Sequence, residues 1–382
     1  MILINPRGDN PHGEYKAIEP PIWCALMAGE GDRIVDLEVE ELPEVDGEVL
    51  IVVMGNNPSV SSTPKMVEAE RLLKLMPGAK VTGLHPVAVG EATYPMPRMS
   101  SLVKRRARWD LLDIGKYRAH NWHCLGDLKS RGGYASLYTS YGCPFDCSFC
   151  NVHVIYRGRK VWYREPREVV EEVGYLVREH GVKNLKLCDE LFTLNRGHVE
   201  AICSGIKEYG LNIWCYGRVG MVDGGMLKVM KGAGINWIAY GFEAGSREVR
   251  EGVGKRYGDV WDTVEMTKGA GINVMGNFMF GLPGEGIEDM QETLELAQDL
   301  MCEWVNFYSC MAYPGSEMYD GGNRNWESYN QYGKMVLDWG VREFRDEAFE
   351  RYFSEPSYQN MIGRKFGVEA VEHIRKMLGE ES

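Results

Sequence analysis

Between residues 135 and 315 six apolar, strand-like runs alternate with five amphipathic stretches, and this repeat restricts the fold more than any other property of the chain. The strand candidates are 135–142, 184–190, 212–219, 237–244, 273–281 and 304–312. Helical patterns lie between them at 166–179, 196–209, 224–231, 259–269 and 286–300. Strands alternating with helices at about 30 residues per unit build βαβ crossovers and a parallel sheet, here a partial (β/α)6 barrel in an α/β chain. Glycines in Lys231-Gly-Ala-Gly234 and Lys268-Gly-Ala-Gly271 stop two of the helices before the next strand. Such a barrel does its chemistry at the C-terminal strand ends, so position alone selects the residues to weigh. Those ends carry Asp189 and Glu190, Arg218, Glu243, Asn277, and the turn Gly281-Leu-Pro-Gly284. Each alone reads equally well as a cap or a surface charge; convergent, they make a polar pocket.

The first strand delivers Tyr141-Gly-Cys-Pro-Phe-Asp-Cys-Ser-Phe-Cys150, in which Cys143, Cys147 and Cys150 follow one another at spacings of four and three residues. One short loop can then wrap three thiolates around a soft metal centre. Three sulfurs are one short of the four protein ligands of structural zinc or an ordinary electron-transfer cluster, which leaves a position for a cofactor or substrate. The bland alternatives are a fragment of a zinc site, with His153 the only nearby addition, or thiols that merely pack.

At 382 residues, with 44% hydrophobic and 26% charged side chains, the chain buries a large core as two domains or one barrel with extensions. A net charge of -12 argues against nucleic acid, whose phosphates call for lysine and arginine. The basic run Lys104-Arg-Arg-Ala-Arg108 reads as a solvated linker, with an anion contact as the sharper option. No apolar stretch reaches the roughly 18–20 residues that span a bilayer, and the N-terminus has no secretory pattern. Ten cysteines, three of them clustered, suit a reducing cytoplasm; the other seven read as buried small hydrophobes.

Residues 1–90 alternate strand and helix on a smaller scale: strands at 1–5, 49–54 and 80–84, helices at 21–27 and 65–76. A short Rossmann-like, doubly wound parallel sheet binds ligands at its C-terminal strand ends. Its candidate loops are 5–15, 55–63 and 85–90, which hold Asn57, Ser59, Ser61 and His85. Residues 91–134 form a connector with short helical turns, where His120 and His123 either face a site or are structural. Residues 316–382 lack further strands and read as a helical cap, with aromatic amphipathic patterns at 342–353 and 368–377 and a polar tail from 379.

The C-x3-C-x2-C loop, with Phe149 before its last cysteine, resembles the signature of the radical S-adenosylmethionine (SAM) enzymes. Tyr240-Gly-Phe-Glu-Ala-Gly-Ser246, Asn277-Phe-Met-Phe-Gly-Leu-Pro-Gly-Glu285 and Ala312-Tyr-Pro-Gly315 are similar to stretches of its cobalamin-binding branch, and Asn57-Pro-Ser-Val-Ser-Ser-Thr-Pro-Lys-Met66 and Gly83-Leu-His-Pro86 to its first domain. The resemblance implies a 4Fe-4S cluster on Cys143, Cys147 and Cys150, SAM chelated to its fourth iron, and reductive cleavage to a 5'-deoxyadenosyl radical. It implies Asp189 or Glu190 for the SAM ammonium, Arg218 for its carboxylate, Glu243 for ribose or substrate, Asn277 and the Gly281–Gly284 turn beside the cofactor, and Phe149 against cluster or adenine. Cobalamin would lie on the first domain at Asn57, Ser59, Ser61 and His85, although the chain lacks Asp-x-His-x-x-Gly and so marks no lower ligand. The implied reaction is methyl transfer to an unactivated carbon of a small molecule, fed by an electron donor such as flavodoxin or ferredoxin, with no membrane or nucleic-acid partner. A cobalamin-independent radical rearrangement, epimerisation or oxidation, a first domain that only packs, and a non-catalytic Fe-S sensor are the alternatives.

Overall fold

A computed structural model describes residues 1–8, 13–321, 325–329 and 339–379. Residues 9–12 of the first candidate loop and 380–382 of the tail therefore lie outside the described residues. Two parallel sheets carry the chain.

The first sheet contains β1 (Ile2–Asn5), β2 (Arg33–Asp36), β3 (Val49–Val53) and β4 (Lys80–Gly83) in the order β2-β1-β3-β4, every neighbour parallel. All five residues of β3 are buried, as a central strand covered on both faces requires. β2 is an addition to the expected strands: only Ile34 and Val35 are apolar in Arg-Ile-Val-Asp, too short a run to show periodicity. Gly83 has φ of 123°, and a Cβ there would stand 2.2 Å from the Val53 carbonyl oxygen, so the end of β4 closes onto β3 only with glycine.

In the second half β5 (Tyr134–Leu137) is followed by β6 (Ser140–Tyr141) and β7 (Trp162–Tyr163), which form a separate antiparallel ribbon. Then come β8 (Asn184–Leu187), β9 (Asn212–Gly217), β10 (Ile235–Glu243), β11 (Asn273–Phe280) and β12 (Trp304–Ser309). The six-stranded sheet runs β12-β11-β10-β9-β8-β5, so chain order and spatial order coincide and all neighbours are parallel. Helices Pro166–His180, Arg196–Ile206, Gly224–Gly232, Val260–Gly269 and Ile287–Leu300 make the crossovers. The single strand expected over 135–142 is a correction: β5 stops at Leu137, and residues 140–141 leave the sheet for the ribbon. The strands expected to reach 190, 219 and 312 likewise stop at Leu187, Gly217 and Ser309.

The halves share one core, and specific bonds tie them. Asn56 donates to Ser136 Oγ at 2.6 Å, Trp23 Nε1 to the Tyr138 hydroxyl at 3.2 Å, and Lys186 to Glu19 at 2.7 Å. Four 3-10 turns and helix Met99–Leu102 make up the connector. Helices Trp339–Ser354, Pro356–Phe366 and Val368–Met377 pack on β12, with Tyr352 and Tyr358 donating to the Cys302 and Glu303 carbonyls at 2.6 and 3.1 Å. The middle helix was not expected from sequence: its aromatic stripe is sparse, and Pro356 at its start reads as a break. No helix among the described residues is long and apolar enough to cross a membrane.

Candidate functional site

The cysteine loop starts at Gly142, where φ is 103° and a Cβ would stand 2.3 Å from the Lys160 carbonyl oxygen. Cys143, Cys147 and Cys150 are free and half-buried. The loop backbone is fixed from outside: Ser148 donates to the Val253 carbonyl at 3.0 Å, and His153 Nε2 to that of Phe145 at 2.6 Å. His153 is thus spent on the loop backbone, and no group of three or more His, Cys, Asp or Glu among the described residues could hold a single ion. A 4Fe-4S cube is wider than an ion and takes thiolates that stand apart. Burial pushes the Cys143 thiol up to about 11 and Cys150 higher still, so both are neutral until cationic iron displaces their protons. Three soft donors in one short, half-buried loop fit the cluster.

A clasp that was not anticipated closes over this loop. Gly254 lies on it, a Cβ there being 3.1 Å from the Asp146 carbonyl oxygen, and the next residue, Lys255, makes a buried ion pair with Glu243 at 2.8 Å. Glu243 has φ of 65°, at an irregularity where β10 loses register with β11. Such strain in a non-glycine residue persists only where surroundings hold it. Gly241 makes room, since a Cβ would come within 2.8 Å of Lys255 Nζ. Nothing in the sequence marks Lys255, a single lysine in a glycine-rich loop away from any strand end. Arg218, buried, lays its guanidinium 3.7 Å above the Phe145 ring and donates to the Arg256 carbonyl at 2.7 Å.

The two acidic residues after β8 differ in how many donors they already serve. Asp189, fully buried, accepts from the Thr139 N–H at 2.6 Å, the Thr139 hydroxyl at 2.5 Å and the Ser140 hydroxyl at 2.6 Å. Glu190 accepts from Tyr156 at 3.0 Å, and burial raises its carboxyl to about 7. Phe149 packs in a small apolar cluster with Val253 and Leu282, which brings it beside the Gly281–Gly284 turn. Asn277 accepts from Asn306 at 3.0 Å.

Gly281 and Gly284 have φ of 80° and 84°; a Cβ at Gly281 would meet Val341 of the C-terminal helices at 2.8 Å, whereas Gly284 faces open space. Glu285 Oε2 accepts from the N–H groups of Gly281 and Leu282 at 2.5 and 2.9 Å, so those amides are occupied. Burial raises the Glu285 carboxyl to about 7. A carboxyl with a raised folded-state value contributes stability that is full below its unfolded value of 4.5 and is lost as pH climbs through about 7. Amide exchange at Gly281 and Leu282, corrected for intrinsic rates, is therefore expected to accelerate between those pH values, and Glu285→Gln to flatten the profile. A flat wild-type profile would count against this.

A cavity of about 900 Å³ lies between the sheets, at the C-terminal ends of β1 and β3 and against β9, β11 and β12. Asn57 and Ser61 line it; Ser59 and His85 do not. His85 is buried edge-on against Trp326 at 4.2 Å, too deep for the role the resemblance implies. The Asn57 side-chain oxygen is buried without a hydrogen-bond partner, an acceptor waiting for a donor. Glu19 also faces the cavity: burial alone would raise it, but Lys186 at 2.7 Å holds it below the usual range. His120 is in the wall, accepting from Ala17 N–H at 3.2 Å, whereas His123 is buried and pushed down to about 3, a structural histidine. The cysteines are not in this lining; Asn306 is, and its bond to Asn277 links the two regions.

The parallel sheet, the three-thiol loop at its C-terminal edge and the polar ring around it define a radical SAM domain. Residues 137–297 match the model of the Radical SAM superfamily. Several of the proteins that the chain resembles in sequence are named as methyltransferases. It is 29% identical over 254 residues to an uncharacterized methyltransferase of Pyrococcus horikoshii, covering 64% of this chain and 52% of that one. It is also 29% identical over 239 residues to an anaerobic magnesium-protoporphyrin IX monomethyl ester cyclase of Rubrivivax gelatinosus, covering 60% and 40%. The fold is similar to that of the radical SAM methyltransferase TsrM of Kitasatospora setae, solved with cobalamin and a [4Fe-4S] cluster, at a TM-score of 0.61 and 18% identity over 83% of this chain and 76% of that one. The chain thus spans about half the length, or less, of the two sequence relatives.

Proposed function

We propose that this chain is a radical SAM enzyme that transfers a methyl group to an unactivated carbon of a small molecule with the help of cobalamin. The observation that carries it is the pairing of an open three-thiol loop with a large cavity at the strand ends of a second, nucleotide-type sheet. In this reading residues 1–90 are the cobalamin-type domain, 91–134 a connector, 135–315 a partial (β/α)6 barrel and 316–382 a helical cap. The cluster on Cys143, Cys147 and Cys150 would supply one electron to the SAM sulfonium, and cobalamin the methyl group. Around them the protein binds and orients. Glu190 receives the SAM ammonium, since Asp189 is committed to Thr139 and Ser140. Arg218 and Lys255 put positive charge beside the loop, and the Glu243–Lys255 pair stands ready for hydroxyls. Phe149 and the Gly281–Gly284 turn offer an apolar edge for adenine, with Asn277 behind it. Asn57 and Ser61 face cobalamin from the first sheet, and aromatic walls keep water from a radical. Ten cysteines, all free, suit a reducing cytoplasm.

Hydroxocobalamin tests the reading directly. Trp122, Trp214 and Trp304 line the cavity, so a one-to-one titration is expected to quench tryptophan fluorescence and to shift the cobalamin absorbance bands. Anaerobic reconstitution with iron, sulfide, dithionite and SAM is expected to release 5'-deoxyadenosine or, with cobalamin, S-adenosylhomocysteine. No cobalamin binding would remove methyl transfer, and a silent assay with an intact cluster would favour a sensor. The cyclase among the relatives favours a second reading, radical oxidation or rearrangement without methyl transfer. That reading predicts 5'-deoxyadenosine without S-adenosylhomocysteine.

A further inference from the structure

Beside the cysteine loop the surface is basic, although the chain as a whole carries -12. Arg157, Gly158, Arg159 and Lys160 form one exposed turn between helix His153–Tyr156 and β7. Three contacts press this turn and its helix onto the loop. Arg159 pairs with Asp146 at 3.1 Å, His153 donates to the Phe145 carbonyl at 2.6 Å, and the Lys160 carbonyl lies against Gly142, the residue before Cys143. Lys160 holds its ammonium 3.7 Å from the Trp162 ring centroid, which keeps the charge at the surface. Arg256, also exposed, follows the clasp residues Gly254 and Lys255 from the other side. The carboxylates that these contacts bring close are already paired, Asp146 with Arg159 and Glu251 with Arg247. No residue of the turn has a part in binding SAM or cobalamin as argued above.

We propose that the turn 157–160, with Arg256, is the docking surface for an acidic one-electron carrier protein. The proposal rests on the cluster reading: one electron leaves the reduced carrier, one electron enters the cluster, and no proton or bond changes hands. A basic patch on an acidic protein does two things at once. It turns the carrier's acidic face toward the turn and helix whose contacts reach the cysteine loop at Asp146, Phe145 and Gly142, while the acidic balance of the whole chain opposes docking in general. Arg157 has φ of 54°, which points to a position fixed by its surroundings. Asparagine tolerates that conformation, so Arg157→Asn removes the charge without straining the turn.

The test uses the reconstituted chain of 382 residues and reduced flavodoxin as the probe. Stopped-flow bleaching of the cluster is expected to slow about tenfold in Arg157→Asn/Lys160→Gln, and the wild-type rate to fall steeply with added salt. Bleaching by dithionite, too small to need docking, is expected to be the same in both. Flavodoxin binding to the unloaded chain should weaken in parallel, and Lys104→Gln/Arg105→Gln, basic residues that make none of these contacts, should match wild type. Equal flavodoxin rates and affinities in the turn variant and wild type would overturn the surface. Failure of dithionite to bleach the wild type would instead overturn the cluster reading, and binding to the unloaded chain would still decide the surface.

Discussion

Cys147→Ala is expected to abolish both the cluster absorbance of the anaerobically reconstituted chain and its cleavage of SAM. Cys147 sits in the middle of the loop, where the Cys150 N–H donates to its carbonyl at 3.0 Å, and alanine preserves that backbone turn. What is lost is one of three thiolates. Partners that merely orient a metal ligand already change affinity or activity by about 10- to 100-fold, so losing the ligand itself should exceed that. Because the side chain is only half-buried, the unloaded variant should melt with the unloaded wild type. Cys203→Ala is the opposite control. That thiol lies on the buried face of helix Arg196–Ile206, so its loss should cost about 1 kcal/mol of stability while leaving the absorbance intact. A Cys147→Ala protein that kept its cluster band would mean that the ligands are other residues.

Asp189→Ala should be the most destabilising single change near the site. The carboxylate collects three donors at 2.5 to 2.6 Å in a place with no solvent, and alanine leaves them unsatisfied. Each buried donor without an acceptor costs about 1–3 kcal/mol, so a loss on the order of 4 kcal/mol is expected even if a hydroxyl rotates to a new partner. Those bonds also hold the break between β5 and the ribbon from which the cysteine loop departs, so iron loading should fall with stability. Asp189→Asn keeps an acceptor oxygen and should recover part of both. The measurements are thermal melting of the unloaded chain and iron content after reconstitution. An Asp189→Ala chain with wild-type melting and a raised KM for SAM alone would return this residue to the cofactor site.

The strand-helix repeat and the cysteine spacing were legible because each is local. Periodicity records which face of a segment is buried, and a three-thiol loop is contiguous in the chain. Strand order in the six-stranded sheet followed as well, since short crossovers favour consecutive parallel strands as neighbours. The short edge strand β2 was not legible, because two apolar residues make no period. The different surroundings of Asp189 and Glu190 could not be read from their adjacency in the chain: Thr139 and Ser140, about 50 residues away, give the first its donors, and Tyr156 gives the second one. Lys255 became part of the site only when Gly241 and the left-handed turn at Glu243 let the two charges meet over β10. His85 matched a motif and yet was carried away from the cavity by the helix that begins at Leu84. Sequence by itself determined the strand-helix repeat of the larger sheet and the three thiols, since periodicity and a contiguous loop are local properties. Only the tertiary structure decided which polar groups remain available to a ligand, because that depends on burial and on partners far apart in the chain.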